Sequence, residues 1–328
     1  MLGRRVAAAG GFELAPHEER EFDGGEHKAR PLTSVRGSDV YVLHGLQGGP
    51  EFSANDRLLR MLFFLATCKE NGAARVTAIT PYLPYSRKER QTKPRDPVTS
   101  RYVAQLFEAA GADAVATLDV HVLAAFQNAY RCRTLHMSMR ETFARDIEDR
   151  VTDHPLAIMS PDAGGVKRAQ LLRETLEEVA GRDAGFAFLE KRRSEGVVSG
   201  THFAGDVSGR SVHILDDMIC GGGTIVRAAR TAREQGAAEV HALATHALFT
   251  DETAEKLAEE GLLDSVTVTD SAAPFRFPVA GLGGRLRVLG AAPLIARTIR
   301  ALHGDPAIEE IAPEVELLPV SDCRAGAD

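Results

Sequence analysis

Three stretches of this 328-residue chain are written twice, in the same order. Val35-Arg36-Gly37-Ser38-Asp39-Val40-Tyr41-Val42-Leu43 is echoed by Val207-Ser208-Gly209-Arg210-Ser211-Val212-His213-Ile214-Leu215, with the two glycines 172 positions apart. Gly72-Ala73-Ala74-Arg75-Val76 is echoed by Gly236-Ala237-Ala238-Glu239-Val240 at a separation of 164, half the chain. More weakly, Ala114-Val115-Ala116-Thr117-Leu118-Asp119 matches Ser265-Val266-Thr267-Val268-Thr269-Asp270. A chain that repeats its strand and turn text at half its length is expected to fold as two similar units in tandem. Its length agrees, at ~150 residues per domain.

Within each copy, short β-branched runs alternate with amphipathic helical runs, which predicts α/β units around a largely parallel sheet. Val40 to Leu43 reads as a strand. Asn55 is the expected cap of a helix that recurs on one face through Leu58, Leu62, Leu65 and Ala66, and Gly72 ends it before the next strand, Arg75 to Thr80. The boundary is placed near residue 145, where the charged stretch Arg145 to Asp153 precedes the apolar run Pro155 to Met159. This gives domains 1–145 and 146–328, the second ending in an acidic, solvated tail over about 305–328. The copies differ after the first echoed strand: one runs into His44-Gly45, the other into Asp216-Asp217 and glycines. Parallel sheets bind ligands at the C-terminal ends of their strands, so the second domain is expected to hold the principal substrate site.

The formal charge is −7, most of it from the tail. That balance excludes a general binder of nucleic acid or anionic membranes, which needs excess Lys and Arg, and makes any basic site local. Cys68, Cys132, Cys220 and Cys323 form no CxxC pair, and the N-terminus lacks the apolar core of a signal peptide. The expectation is a reduced, cytoplasmic protein. The longest apolar stretch, Met61 to Cys68, is far shorter than the ~20 residues of a membrane helix.

The segment Val212 to Thr224 reads as strand, acidic pair, glycine loop and then helix. Gly221, Gly222 and Gly223 let backbone N–H groups converge on an oxyanion, Thr224 adds a hydroxyl, and the helix N-terminus adds a positive dipole end. Asp216 and Asp217 beside a phosphate would repel it unless they hold sugar hydroxyls or a cation, so a phosphorylated sugar suits both halves of the segment. The alternative is a glycine-rich βα turn with solvated acids. No Gly-Lys-Ser/Thr follows, so it is not a Walker loop. Ser160-Pro161-Asp162-Ala163-Gly164-Gly165 is a second oxyanion loop, with an acid at its lip that suits magnesium. His121 follows Asp119 at another strand end, where a lone His is a ligand or simply a hydrogen-bonded structural residue. Lys191-Arg192-Arg193 follows the apolar strand Gly185 to Leu189, and Ser194 to Ser199 reads as a flexible loop. Arg87, Lys88, Arg90, Lys93 and Arg95 crowd one stretch with a single acid, Glu89, as a nucleic-acid patch or an exposed loop would. No Cys/His spacing reads as a zinc site.

Taken together, Pro81 to Val98, Gly111 to His121, Ser160 to Gly165, Lys191 to Arg193 and the Asp216 to Thr224 loop resemble the motifs of ribose-phosphate pyrophosphokinases, in that family's order. The resemblance covers about residues 20–300. It implies two tandem similar α/β domains of the phosphoribosyltransferase type, each a mainly parallel sheet flanked by helices, the first binding ATP and the second ribose 5-phosphate. It makes His121 and Asp162 the Mg2+ pair, and a sparse pair is what magnesium needs when substrate phosphates complete its shell. Lys191 and Arg193 become the catalytic cations on the transferring diphosphoryl group. Arg87 and Arg90 become ATP ligands, joined by Phe22 and Glu26 of a segment that in the family reaches a neighbouring subunit's adenine. Asp216, Asp217, Gly221, Gly222, Gly223 and Thr224, with Ala163, Gly164 and Gly165, become substrate-binding residues.

The implied reaction is attack of the anomeric hydroxyl of ribose 5-phosphate on the β-phosphorus of ATP, giving phosphoribosyl pyrophosphate and AMP. The implied assembly is a dimer-based homo-oligomer, up to a hexamer, with no nucleic acid and no membrane. The chain departs from the family pattern at Lys88, Gly24 and Cys220-Gly221, lacks a Ser-Val-Ser after Arg300, and begins close to Phe22. The rival readings are a phosphoribosyltransferase, whose single-domain plan leaves the duplication and the basic triplet unexplained, and a non-catalytic paralogue that regulates a true synthetase.

Overall fold

The structure, a computed structural model, describes residues 2–49, 51–150, 152–194, 197–273, 279–304 and 315–323, with the side chains of 191–201 outside the description. Its contacts divide the chain into two units. Unit 1 runs to Ser138 and resumes at Ala292; unit 2 runs from Met139 to Ala291 and includes the C-terminal segment.

Unit 1 contains helix α1 (Leu2–Gly10), the strands β1 (His17–Glu21) and β2 (His27–Pro31), then β3 (Asp39–Leu43), α2 (Ala54–Glu70), β4 (Arg75–Ile79), α3 (Thr99–Ala109), β5 (Ala114–Leu118), α4 (Leu123–Ala129) and β6 (Arg133–Met137). Strands β1 and β2 form a separate antiparallel hairpin, while β3-β4-β5-β6 form a parallel sheet in that order. Unit 2 contains α5 (Arg140–Glu148), β7 (Leu156–Ser160), α6 (Val166–Ala180), β8 (Gly185–Ser194), β9 (Val197–Gly205), β10 (Ser211–Ile219), α7 (Gly223–Glu234), β11 (Glu239–Ala247), α8 (Asp251–Leu257), β12 (Ser265–Thr269) and β13 (Leu286–Leu289). Helix α9 (Ala292–Leu302) then falls in unit 1, and β14 (Leu317–Leu318) closes the sheet order β14-β13-β12-β11-β10-β7-β8-β9. Among the described residues of this sheet, only the outermost strands, β9 and β14, run antiparallel.

The echoes are real duplications, since β3-β4-β5-β6 and β10-β11-β12-β13 share order and direction. The likeness reaches single hydrogen bonds. Gly37 N–H donates to the Gly72 carbonyl at 2.8 Å, and Gly209 N–H to Gly236 at 2.8 Å. These glycines sit at φ of +73, +88, +66 and +83°, where a side chain would strain the turn. Asp113 accepts the Val76 N–H at 2.7 Å and the Lys69 ammonium at 2.6 Å; Asp264 accepts the Val240 N–H at 2.7 Å and the Arg233 guanidinium at 2.6 Å. Each copy buries its own apolar face, around Leu65, Val76, Phe107 and Val115 in one and Ile214, Ala229, Val240 and Val266 in the other.

Several local expectations are corrected. Ser53, not Asn55, caps α2: its hydroxyl accepts from Asp56 N–H at 3.2 Å while the Asp56 carboxylate accepts from Ser53 N–H at 2.8 Å, a reciprocal capping box. Strand β10 does not end at Leu215 but carries Asp216 and Asp217 within it. The stretch read as a loop from Ser194 to Ser199 lies largely in the β8–β9 hairpin, with 195 and 196 outside the described residues. The tail is not wholly solvated, because Leu317-Leu318 pairs with β13; residues 305–314 and 324–328 lie outside the described residues. The boundary placed at 145/146 falls inside α5, which packs along α6, while α9 packs along α1.

A stacked histidine pair lies at the N-terminal end of the second sheet, His213 and His241, with ring centroids 4.7 Å apart. Burial, then His241 and Arg150, hold His213 well below the ordinary imidazole range; burial and Arg150 lower His241, partly offset by Asp264 and Glu239. A base depressed in the fold is neutral there but protonates in the unfolded chain, so stability is full above the unfolded pKa of about 6.5 and is lost as pH falls below it. Each histidine adds up to about 1.4 kcal/mol per pH unit to that loss. The urea midpoint is therefore expected to drop more between pH 7 and pH 5.5 in the parent than in His213→Phe, and equal drops would remove the pair as the cause.

Candidate functional site

The sheet order places the site. Strands β7 and β10 are parallel neighbours, with Ile158 opposite His213 and Met159 opposite Ile214. From β7 the chain returns through α6 to β8 on one side; from β10 it returns through α7 to β11 on the other. With right-handed crossovers the two helices lie on opposite faces, and a crevice opens beyond the C-terminal ends of β7 and β10. Both glycine loops emerge at that point.

After β10, Cys220 to Gly222 lead directly into α7. Gly222 is the N-cap residue at φ +71°, and a Cβ there would lie 3.2 Å from Thr253 Cγ2. The buried Thr253 hydroxyl donates to the Cys220 carbonyl, so α8 holds the loop from behind. Gly221 and Gly223 are exposed, with open space where a side chain would go. No side chain caps α7, so its first N–H groups face outward beside the half-buried Thr224. The duplicate helix α2 is closed by Ser53 and Asp56. Duplication has thus left one helix N-terminus self-satisfied and the other open to an anion.

The acids stand immediately before the open loop. Asp217 is 1% exposed, and its Oδ1 accepts from Arg168 Nη1 at 3.2 Å; the same nitrogen lies 3.7 Å from Asp216 Oδ1. Asp216 Oδ1 also accepts the Asp217 N–H at 2.8 Å. Burial, then the Asp217 charge, push Asp216 well above the ordinary carboxylate range, and Arg168 opposes them. Hydroxyl donors arriving at this pair would return hydrogen bonds that burial removed.

Beyond β7, a 3-10 turn Ala163–Gly165 precedes α6 as expected. Asp162 is more than an acid at the lip: its Oδ1 accepts Gly164 N–H at 2.9 Å and Gly165 N–H at 3.1 Å. Any external oxyanion binding those two donors would have to displace this carboxylate oxygen. Ser160 donates its hydroxyl to the Asp162 carbonyl at 2.7 Å and fills the space where a Gly165 side chain would be.

The basic triplet lies on β8 rather than after it. Ser160 is level with Phe188, so β8 continues past the end of β7 and carries the Lys191 and Arg193 backbones beyond it. Lys191 pairs with Thr201 and Arg193 with Val198, with a register shift between them.

In unit 1, Arg87 and Arg90 are exposed after β4, Arg90 lying 3.3 Å from Glu89. His121 is half-buried just after β5. Phe22 and Glu26 close the hairpin tip, with Phe22 N–H donating to the Glu26 carbonyl at 2.8 Å, on a two-stranded sheet separate from the one that carries Arg87 and His121. Asp162 belongs to unit 2, so the expected pair His121 and Asp162 is divided between the two units. Asp119, two residues before His121, is buried at φ +31° and accepts from the Ser138 hydroxyl at 2.8 Å. Arg168, which faces the acidic pair, is the residue that sequence reasoning does not single out, being one basic residue on a helix.

Residues 1–111 match the family described as the N-terminal domain of ribose phosphate pyrophosphokinase, and 198–311 match the phosphoribosyl synthetase-associated domain. The ribose-phosphate pyrophosphokinase of Nostoc sp. is 33% identical over 312 residues, covering 95% of this chain and 90% of that one. That of Hyphomonas neptunium is 32% identical over 301 residues, 92% of each. The crystal structure of phosphoribosylpyrophosphate synthetase from Mycobacterium smegmatis superposes with a TM-score of 0.80 at 32% identity, over 92% of this chain and 95% of that one.

Proposed function

The chain belongs to the ribose-phosphate pyrophosphokinase family, and from that membership we propose how its parts divide the reaction. Both halves have the phosphoribosyltransferase-type fold, and the enzyme transfers the β,γ-diphosphoryl group of ATP to the C1 hydroxyl of ribose 5-phosphate, releasing AMP. The observation that carries the division is the open N-terminus of α7 behind an acidic pair, against the closed N-terminus of its duplicate α2.

In this reading the N-terminal domain binds ATP and the C-terminal domain binds ribose 5-phosphate. The N–H groups of Gly221 to Thr224 and the Thr224 hydroxyl hold the 5-phosphate, and Asp216 and Asp217 accept from the ribose hydroxyls. That fixes the sugar with its C1 hydroxyl toward the Ala163-Gly164-Gly165 turn, which holds the diphosphoryl group. Lys191 and Arg193 neutralise charge developing on the transferred oxygens, since phosphoryl transfer depends mainly on positioning and electrostatics. Arg87, with Arg90, Phe22 and Glu26, holds the nucleotide, the guanidinium plane lying against adenine.

Among the described residues no cluster of three or more His, Cys, Asp or Glu could hold a metal. Mg2+ fits nonetheless, because it is commonly held by one or two protein ligands plus substrate phosphates, and Asp162 keeps a second carboxylate oxygen beyond the one its loop uses. Asp162 and His121 are the proposed ligands, and the ion supplies charge neutralisation of the phosphates. The four cysteines are free, and no helix among the described residues is long and apolar enough to cross a membrane, in keeping with a cytoplasmic setting. The exposed Phe22 hairpin supports a dimer-based homo-oligomer in which it serves a neighbouring subunit.

Mixing the protein with ribose 5-phosphate and MgATP, with and without inorganic phosphate, tests the reading. AMP is expected to appear in step with phosphoribosyl pyrophosphate and only when ribose 5-phosphate is present. ADP instead of AMP, or no product with both ligands bound, would contradict it, the second result favouring the regulatory paralogue.

A further inference from the structure

Resting on that reading, we infer that Arg168 is a positioning residue of the ribose-phosphate site, tying the acidic pair on β10 to the diphosphate loop after β7. Arg168 stands in the first turn of α6, directly behind the Ala163–Gly165 turn. Its Nη1 lies 3.2 Å from Asp217, 3.7 Å from Asp216 and 4.0 Å from the position a Gly165 Cβ would occupy. One guanidinium nitrogen therefore touches both acids and backs the loop. The guanidinium is itself largely buried, its side chain 22% exposed, so the contact is not a solvent-screened surface pair.

The cation has a physical reason to be there. Both carboxylates lie within 4 Å of one guanidinium nitrogen, and without it they would repel each other and a phosphorylated ligand alike. Arg168 offsets negative charge at the pair and fixes the Asp217 carboxylate, which is almost wholly buried. Because it issues from the helix that follows the diphosphate loop, displacement of either strand end moves the contact. Arg168 thus sets the spacing between the ribose hydroxyl acceptors and the donors that face the diphosphoryl group, without itself being a catalytic residue. The helix N-terminus of α6 does not carry this inference; the side-chain contacts do.

The test is steady-state kinetics on Arg168→Ala and Arg168→Lys, with thermal unfolding of Arg168→Ala, Asp217→Asn and the double variant. Arg168→Ala is expected to raise the KM for ribose 5-phosphate on the order of tenfold or more while the KM for MgATP moves much less, and Arg168→Lys to recover part of the loss. The double variant is expected to melt above Arg168→Ala, because the buried charge that has lost its cation is gone. A well-folded Arg168→Ala with an unchanged KM for ribose 5-phosphate overturns the inference, as does a double variant whose loss is the sum of the singles. If Arg168→Ala does not fold, Arg168→Gln takes its place, and a folded Arg168→Gln with an unchanged KM for ribose 5-phosphate overturns the inference equally. A parent protein that shows no ribose 5-phosphate-dependent turnover fails before Arg168 is changed, and that result strikes the functional reading instead.

Discussion

Lys191→Ala is expected to lower kcat about a thousand-fold while leaving the affinity for ATP within a few-fold of the parent, an asymmetry that marks a contact made only in the transition state. The physical reason is positional. Strand β8 outruns β7 and carries the Lys191 backbone past the level of Ser160, toward the end of the sheet where the loops gather. Under the proposed division a cation at Lys191 meets charge as it develops on the diphosphoryl oxygens, whereas ground-state ATP is assigned to Arg87 and its neighbours. Single-turnover rates with saturating substrates, beside nucleotide binding by calorimetry, read the two quantities separately. Unchanged turnover would remove Lys191 from the catalytic assignment, and a proportionate loss of ATP affinity would make it a binding residue.

Gly222→Val is expected to reduce kcat/KM for ribose 5-phosphate on the order of a hundred-fold, mostly through KM. A β-branched residue at φ +71° costs ~1–3 kcal/mol in backbone strain, and its Cβ would press on Thr253 Cγ2 at 3.2 Å. Thr253 is also the residue that holds the Cys220 carbonyl, so relief of the clash moves the loop that presents the N–H groups. MgATP binding should survive, because the loop belongs to the second half alone. Retention of ribose 5-phosphate affinity in a folded Gly222→Val would show that the phosphate is held somewhere other than the α7 terminus.

What could be read from the sequence was what local chemistry repeats. Gly37 and Gly209, Gly72 and Gly236, and the strands they bound were legible because a positive-φ turn admits few residues, and both copies solve it identically. The acidic pair and the three glycines were legible for a different reason, because they stand next to one another in the chain and occur in one copy only. Arg168 was not, since its meaning comes from an acid 49 positions away that only the β7–β10 pairing brings near. Nor was the second role of Asp162, whose carboxylate satisfies its own loop's N–H groups as well as facing outward. Reading Ser194 to Ser199 as a loop failed because its small and polar residues mask strand propensity, and antiparallel pairing with β8 overrode composition. The closed end of α2 was misread by two residues, and with it went the clearest contrast between the halves: Ser53 with Asp56 caps the first copy, while Gly222 leaves the second bare. The placement of α9 in unit 1 rests on long-range packing against α1, which no periodicity announces.

The most direct measurement is a crystal structure of the protein with ribose 5-phosphate bound. One ligand per chain is expected, its 5-phosphate accepting from the backbone N–H groups at Gly221 to Thr224 and its hydroxyls donating to Asp216 and Asp217. A phosphate seated on the Asp162 to Gly165 turn, or at the Ser53 end of α2, would contradict it.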